Sequence, residues 1–174
     1  MQTSRDIYGP GQAKAIKDLL QSIFISELLE NSEVIWLNFA WISDLEIFDN
    51  TSRQFSSFFP DWPADNIHLS LILKTLLSRG TNIKLVIRKH GHNEFFTNRL
   101  KKLKDTFQSN IKWTIKENFH EKGLLGKDYF LSGSMNLTFS GVSINDEHIH
   151  FRTDKHSVAQ AHINFADKWE KELL

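Results

Sequence analysis

The segment Glu33-Val-Ile-Trp-Leu-Asn-Phe-Ala-Trp-Ile42 is apolar at odd and even positions alike. No other stretch constrains the fold as strongly. A strand wetted on one side alternates apolar and polar residues, whereas a strand apolar on both parities has to be covered on both faces. The run therefore predicts a central strand between two layers, and its neighbours supply them. Residues 10–31, opened by Pro10, carry Ile16, Leu20, Ile23 and Phe24 at three- and four-residue spacing, with Leu19 and Leu28 flanking. That is one stripe of a helix. Residues 67–79 repeat it with Leu69, Leu73, Leu76 and Leu77, and Gly80 ends the segment. Residues 93–108 place Phe96, Leu100, Leu103 and Phe107 on one face and Arg99, Lys101, Lys102 and Lys104 on the other. Residues 156–173 close the chain with Val158, Ala161, Phe165 and Trp169 in register.

Between these helices, residues 82–88, 111–116 and 147–152 read as strands. Residues 122–125 and 129–132 read as a hairpin turning at Gly126-Lys127-Asp128. The interleaving predicts an α/β (α+β sandwich-like) fold with a mixed central sheet flanked by helices. Residues 1–174 form a single domain on this reading, with no repeat or linker. Residues 43–66 remain as a long irregular connection holding Phe48, Phe55, Phe58, Phe59 and Trp62. Connections of that length are often functional, so the rings suit a lid or a base-stacking surface, and equally a completed core or interface.

A net charge of zero argues against broad attraction to nucleic acid or to anionic membranes, though not against a local basic cleft. With no cysteine there is no disulfide framework and no thiolate chemistry, which suits a reducing compartment. Residues 1–10 lack the apolar core of a secretory leader, and no apolar run approaches the ~20 residues needed to span a bilayer. A cytoplasmic protein without stable membrane association is the expectation.

The chemistry concentrates in residues 120–136. His120 and Lys122 lie two apart, so on an extended segment imidazole and ammonium emerge on one face. One hairpin later comes Gly133-Ser134-Met135-Asn136, in which Ser134 and Asn136 share a face and Gly133 permits close approach. A lysine flanked by a hydroxyl and an amide suits the tetrahedral oxygens of a phosphoryl group. Asn145-Asp146-Glu147 follows at a strand start, where a carboxylate is expected to bond the far ring nitrogen of His120.

The order HxK, then GSxN, then NxE resembles the signature of the phospholipase D superfamily. It resembles most its small members with one HKD-type motif per chain, such as the bacterial Nuc-type endonucleases. The resemblance implies a phospholipase D-like fold over nearly the whole chain. It makes His120 the catalytic histidine, Lys122 the phosphate-binding lysine, Ser134 and Asn136 the GSxN pair, and Glu147 the acidic residue of NxE. The family aspartate falls one residue late, at Asp128, because Lys127 occupies its position; Asp128 is expected in a supporting role. The implied reaction is cofactor- and metal-independent phosphodiester cleavage through a phosphohistidine. A second histidine is required, so the resemblance implies a homodimer with a composite site and DNA as the substrate. A narrower similarity is to the phospholipase D-like component of bacterial 7-deazaguanine DNA-modification and restriction clusters, which implies a defence role and a larger complex.

Two alternatives keep the same fold: a lipid phosphodiesterase, and a non-catalytic module that binds DNA or a partner. The pairs His148/His150 and His90/His92 are spaced for zinc but lack further ligands, so hydrogen-bonded surface histidines are the expectation. The basic face 99–104 suits a phosphate backbone, and equally a solvated helix.

Overall fold

The computed structural model describes residues 4–9 and 11–174. Pro10, expected to open the first helix, lies outside them. Among the described residues one seven-stranded sheet runs through the molecule in the order β1-β9-β8-β7-β2-β5-β6. These strands are β1 (Ser4–Ile7), β2 (Val34–Phe39), β5 (Asn82–Arg88), β6 (Ile111–Lys116), β7 (Lys122–Leu125), β8 (Phe130–Gly133) and β9 (Ile149–Arg152). β2, β5 and β6 are mutually parallel, and the remaining pairings are antiparallel. The sheet is therefore mixed, as expected.

The apolar run behaves as its patterning requires. Ile35, Leu37 and Phe39 point into one core with α1 (Gln12–Leu29), α2 (Leu69–Ser78) and α3 (Glu94–Phe107). Trp36 and Ala40 point the other way, into a second core under α5 (Lys155–Trp169) that includes Val158, Phe165 and Trp169. Burial of each large side chain contributes roughly 1.5–3 kcal/mol, so covering both faces of β2 is a major stabilising term. Among the described residues no helix is long and apolar enough to cross a membrane.

The segment 43–66 departs from the expected irregular connection. It contains β3 (Glu46–Asp49), which pairs antiparallel with β4 (Asn66–His68) in a separate two-stranded sheet. α2 consequently starts at Leu69, not at residue 67. The segment folds inward because its apolar residues have a core to enter: Ile47, Phe48, Phe59, Trp62 and Ile67 are all buried there. Buried Asn50 braces the turns, donating to the Pro63 carbonyl at 2.7 Å and accepting from Phe55 N at 3.1 Å. Of the rings, only Phe58 is largely exposed. Two further elements had no readable pattern. β1 turns only Ile7 inward, and α4 (Phe139–Ser143) is five residues long, capped by Thr138 Oγ1 on Gly141 N.

Candidate functional site

One edge of the sheet collects the chemistry, and strand direction is the reason. β2 and β5 are parallel and end together at Phe39 and Arg88, where Phe39 is paired with both Ile87 and Lys122. β7 starts at that same edge because it runs antiparallel to β2. The hairpin then returns β8 to it at Gly133, paired with Ile149 at the start of β9. Gly133 has φ of 137°, a conformation costly for other residues, and a Cβ there would collide with the His148 carbonyl. The β8–β9 junction thus requires glycine.

His120, exposed just before β7, faces two cations. Its Nδ1 lies 3.1 Å from Lys122 Nζ, which also donates to the His120 carbonyl at 2.5 Å. Its Nε2 lies 3.2 Å from Arg88 Nη1. An imidazole bearing one ring N–H accepts at a single nitrogen, so it cannot satisfy both donors. An anion between them can. Partial burial holds the Lys122 ammonium below the ordinary lysine value; the Glu147 carboxylate opposes that shift and the Arg88 charge adds to it.

Ser134 and Asn136 are positioned by groups on opposite sides. Ser134 Oγ donates to Glu147 Oε2 and accepts from His148 N at 2.9 Å. Glu147, 9% exposed, also accepts from Asn145 Nδ2 at 3.1 Å through Oε1. Asn136 Oδ1 accepts from Trp41 N at 3.0 Å, leaving its donor function on Nδ2.

Two expectations are corrected here. Glu147 does not bond the ring of His120. It sits beyond β8, at the β9 side of the edge, where Ser134 and Asn145 take its oxygens. Nor does Asp128 support the cluster. Its carboxylate is 79% exposed on the hairpin turn, at the opposite end of β7, and its nearest charged partner is Lys127 at 3.8 Å. The turn is anchored by other groups. Lys127 N donates to Ser32 Oγ at 2.8 Å, and Ser32 is held by buried Glu27 through Oγ at 2.6 Å and N at 2.8 Å. Lys127 Nζ pairs with Glu30 at 2.7 Å, and His162 Nε2 is 3.0 Å from the Gly126 carbonyl.

The structure adds residues that no motif announced. Arg88 ends a strand in the parallel half of the sheet, and strand C-terminal ends are where α/β sheets place ligands. Buried Asn93 ties the edge together, donating to the Ala40 and Arg88 carbonyls at 2.8 Å each and accepting from Ile42 N at 2.9 Å. The histidine pairs are engaged elsewhere. His150 bonds Asp6 at 3.0 Å, His148 packs edge-on against Tyr8, and His92 contacts Ser43 at 3.0 Å. Among the described residues no group of three or more His, Asp or Glu is arranged to hold a metal ion. On the basic face of α3, Arg99 faces Asp44 at 3.8 Å and Lys104 lies over Trp113.

Comparison with known proteins gives one family and a group of similar folds. The family described as cardiolipin synthase, PLD-like domain, matches residues 45–169. No curated protein matches the sequence significantly. Among solved structures, NucT from Helicobacter pylori superposes with a TM-score of 0.63 at 12% identity, over 98% of this chain and 97% of that one. Nuc from Salmonella typhimurium, described as a phospholipase D family member, gives 0.62 at 16% identity over 98% and 95%. Phosphatidylserine synthase from Haemophilus influenzae Rd KW20 gives 0.65 at 11% identity over 98% of this chain and 40% of that one.

Proposed function

We infer a function from one premise: the chain belongs to the family described as cardiolipin synthase, PLD-like domain. The reading is a metal-independent phosphodiesterase, a DNA endonuclease acting through a phosphohistidine at a homodimer interface. One observation carries it. A sheet edge brings His120 between the cations Lys122 and Arg88 and collects Ser134 and Asn136 beside them, in an arrangement suited to an anion. In the proposed reaction a ring nitrogen of His120 attacks phosphorus and forms the P–N bond as the P–O bond to the leaving group breaks. The second copy's His120 gives its proton to the departing oxygen. That histidine then takes a proton from water, whose oxygen attacks phosphorus and expels His120, leaving a phosphate monoester. Lys122 and Arg88 neutralise charge on the non-bridging oxygens, with Ser134 and Asn136 as neutral partners. Glu147 is a positioning residue through Ser134.

The dimer has support in the surface beside the site. Phe139 and Ile144, 65% and 66% exposed, lie at the two ends of α4, which begins three residues after Asn136. Exposed apolar residues next to an incomplete two-histidine site suit an isologous contact. The association with a DNA-modification and restriction system belongs to this reading and rests on the resemblance in motif order. The displaced Asp128 gives no ground for a binding-only module, since the turn it occupies is anchored without it.

Cleavage of plasmid and single-stranded DNA in excess EDTA tests the reading. Wild-type protein should cut, and His120→Asn should lose about a thousandfold or more, as deletion of a nucleophile does elsewhere. Undiminished cutting by His120→Asn removes His120 from the mechanism. Turnover of lipid phosphodiesters without DNA cleavage moves the substrate to lipids.

A further inference from the structure

A cleft of about 520 Å³ opens beside the candidate site, between the end of β5 and α3, with Arg88, Lys89, His90 and Lys101 among its lining residues. Arg88 belongs to both places: the residue lines the cleft, and its guanidinium faces His120 Nε2. The cleft is thus the ground next to the scissile phosphate. It is cationic on balance, with three fixed cations against Glu94 among its lining charges. Lys89 also pairs with exposed Glu117 at 2.6 Å, a solvent-screened contact that a phosphate can displace.

Two aromatic rings stand at this junction. Trp41 is 38% exposed although it lies within the apolar run between buried Ala40 and Ile42, and its backbone N–H donates to Asn136 Oδ1, which holds its backbone beside the candidate site. Its indole lies 6.1 Å from the His90 ring at 58°. The His90 ring is itself oriented by accepting from His92 N at 3.2 Å. Through His90, which lines the cleft, a partly exposed indole stands beside a cationic surface, the combination that binds unpaired bases: the ring offers a face to any base, and the cations follow the backbone. Duplex DNA keeps its base faces stacked inside the helix and cannot use such a ring without unstacking.

We propose that Trp41, with His90 beside it, is the stacking platform for the nucleotide adjacent to the scissile phosphate, and that Lys89 and Lys101 hold the next phosphate of an unpaired strand. This rests on the phosphodiesterase reading above and commits it to single-stranded nucleic acid as the productive substrate. The subsite explains why an indole two residues past the end of β2 is left partly exposed between buried neighbours.

The test is binding of a labelled oligothymidylate of about a dozen nucleotides, and of a matching duplex, by fluorescence anisotropy. It is run on the His120→Asn background so that nothing is cut. Trp41→Ala should weaken single-strand binding between about fivefold and a hundredfold, while Trp41→Phe restores it to within about threefold. Duplex binding should change by less than about twofold. Unchanged single-strand binding by Trp41→Ala overturns the proposal. So does an equal loss on duplex, or a Trp41→Phe variant as weak as Trp41→Ala. Tighter capture of duplex or of anionic lipid vesicles than of the single strand overturns it as well. The phosphodiesterase reading is tested separately by His120→Asn cleavage. Loss of cutting there with normal Trp41→Ala binding removes the subsite alone, and undiminished cutting removes the reading beneath it.

Discussion

Lys122 occupies a place where an ammonium is disfavoured, and that gives a separable prediction. Its partial burial lowers its affinity for the proton relative to an ordinary lysine at 10.5, so the unfolded chain holds that proton more tightly. The unfavourable contribution is fully present at pH below the folded value and is relieved as pH rises through that value toward 10.5. Lys122→Met should therefore melt no lower than wild type at neutral pH, with any advantage narrowing as pH climbs, while phosphodiesterase activity falls about a hundredfold or more. Thermal melts across pH, paired with the cleavage assay, check both parts. A melting temperature well below wild type would contradict the assigned burial cost. At this scale the sequence was legible where chemistry is local. His120 and Lys122 are two residues apart and their side chains meet at 3.1 Å, whereas Ser134 and Asn136 lie past the end of β8, where strand alternation does not reach. Arg88 was not legible, since nothing local to residue 88 says that it ends at His120; only the β2–β5–β7 register does. The Glu147 partner was misjudged for the same reason, because proximity across strands depends on which strand intervenes.

Elements stand or fall with a few backbone requirements, and Gly133 is the sharpest. Its positive φ and the His148 carbonyl facing its α-carbon leave no room for a side chain. Gly133→Ala should lower unfolding free energy by about 2–4 kcal/mol, with loss of activity preceding loss of fold as denaturant rises. Equilibrium urea unfolding measures the first and the cleavage assay the second. The long periodic elements were readable: β2, β5, β6, the hairpin and the four main helices lie within a few residues of their expected bounds. What escaped was short. β1 offers four residues with a single inward side chain, β3 and β4 are strands of four and three, and α4 barely exceeds one turn. Strands this short are readable only where a turn signal joins them, as in the β7–β8 hairpin; elsewhere their conformation is imposed by the neighbour they pair with or the core they enter.

For the whole molecule, the mixed sheet between helical layers followed from one doubly apolar strand, and the sequence could carry that conclusion because burial on both faces has few solutions. The use of the 43–66 aromatics is decided by available core and not by sequence: all but Phe58 are wholly or partly buried in it. Assembly is the remaining question at this scale. If the site is completed by a second copy, the solution mass should be twice the 20.3 kDa of one chain. Phe139→Asp combined with Ile144→Asp should halve that mass and remove cleavage together, since both residues are exposed and neither belongs to the core. Light scattering and the cleavage assay decide it: a cleaving monomer is incompatible with a shared site.

The anchoring of the hairpin turn carries a mechanical consequence. β7 and β8 are held along their lengths by β2 and β9 and pinned at the turn by the Glu27–Ser32–Lys127 bonds and the Lys127–Glu30 pair, four residues, roughly 13 Å, from Lys122 and Gly133. That far end carries groups of the candidate site, and the pinned turn helps set how stiffly they are held. With the pin built from the backbone and ammonium of Lys127 and the side chains of Glu27, Glu30 and Ser32, the carboxylate at 128 is relieved of mechanical duty.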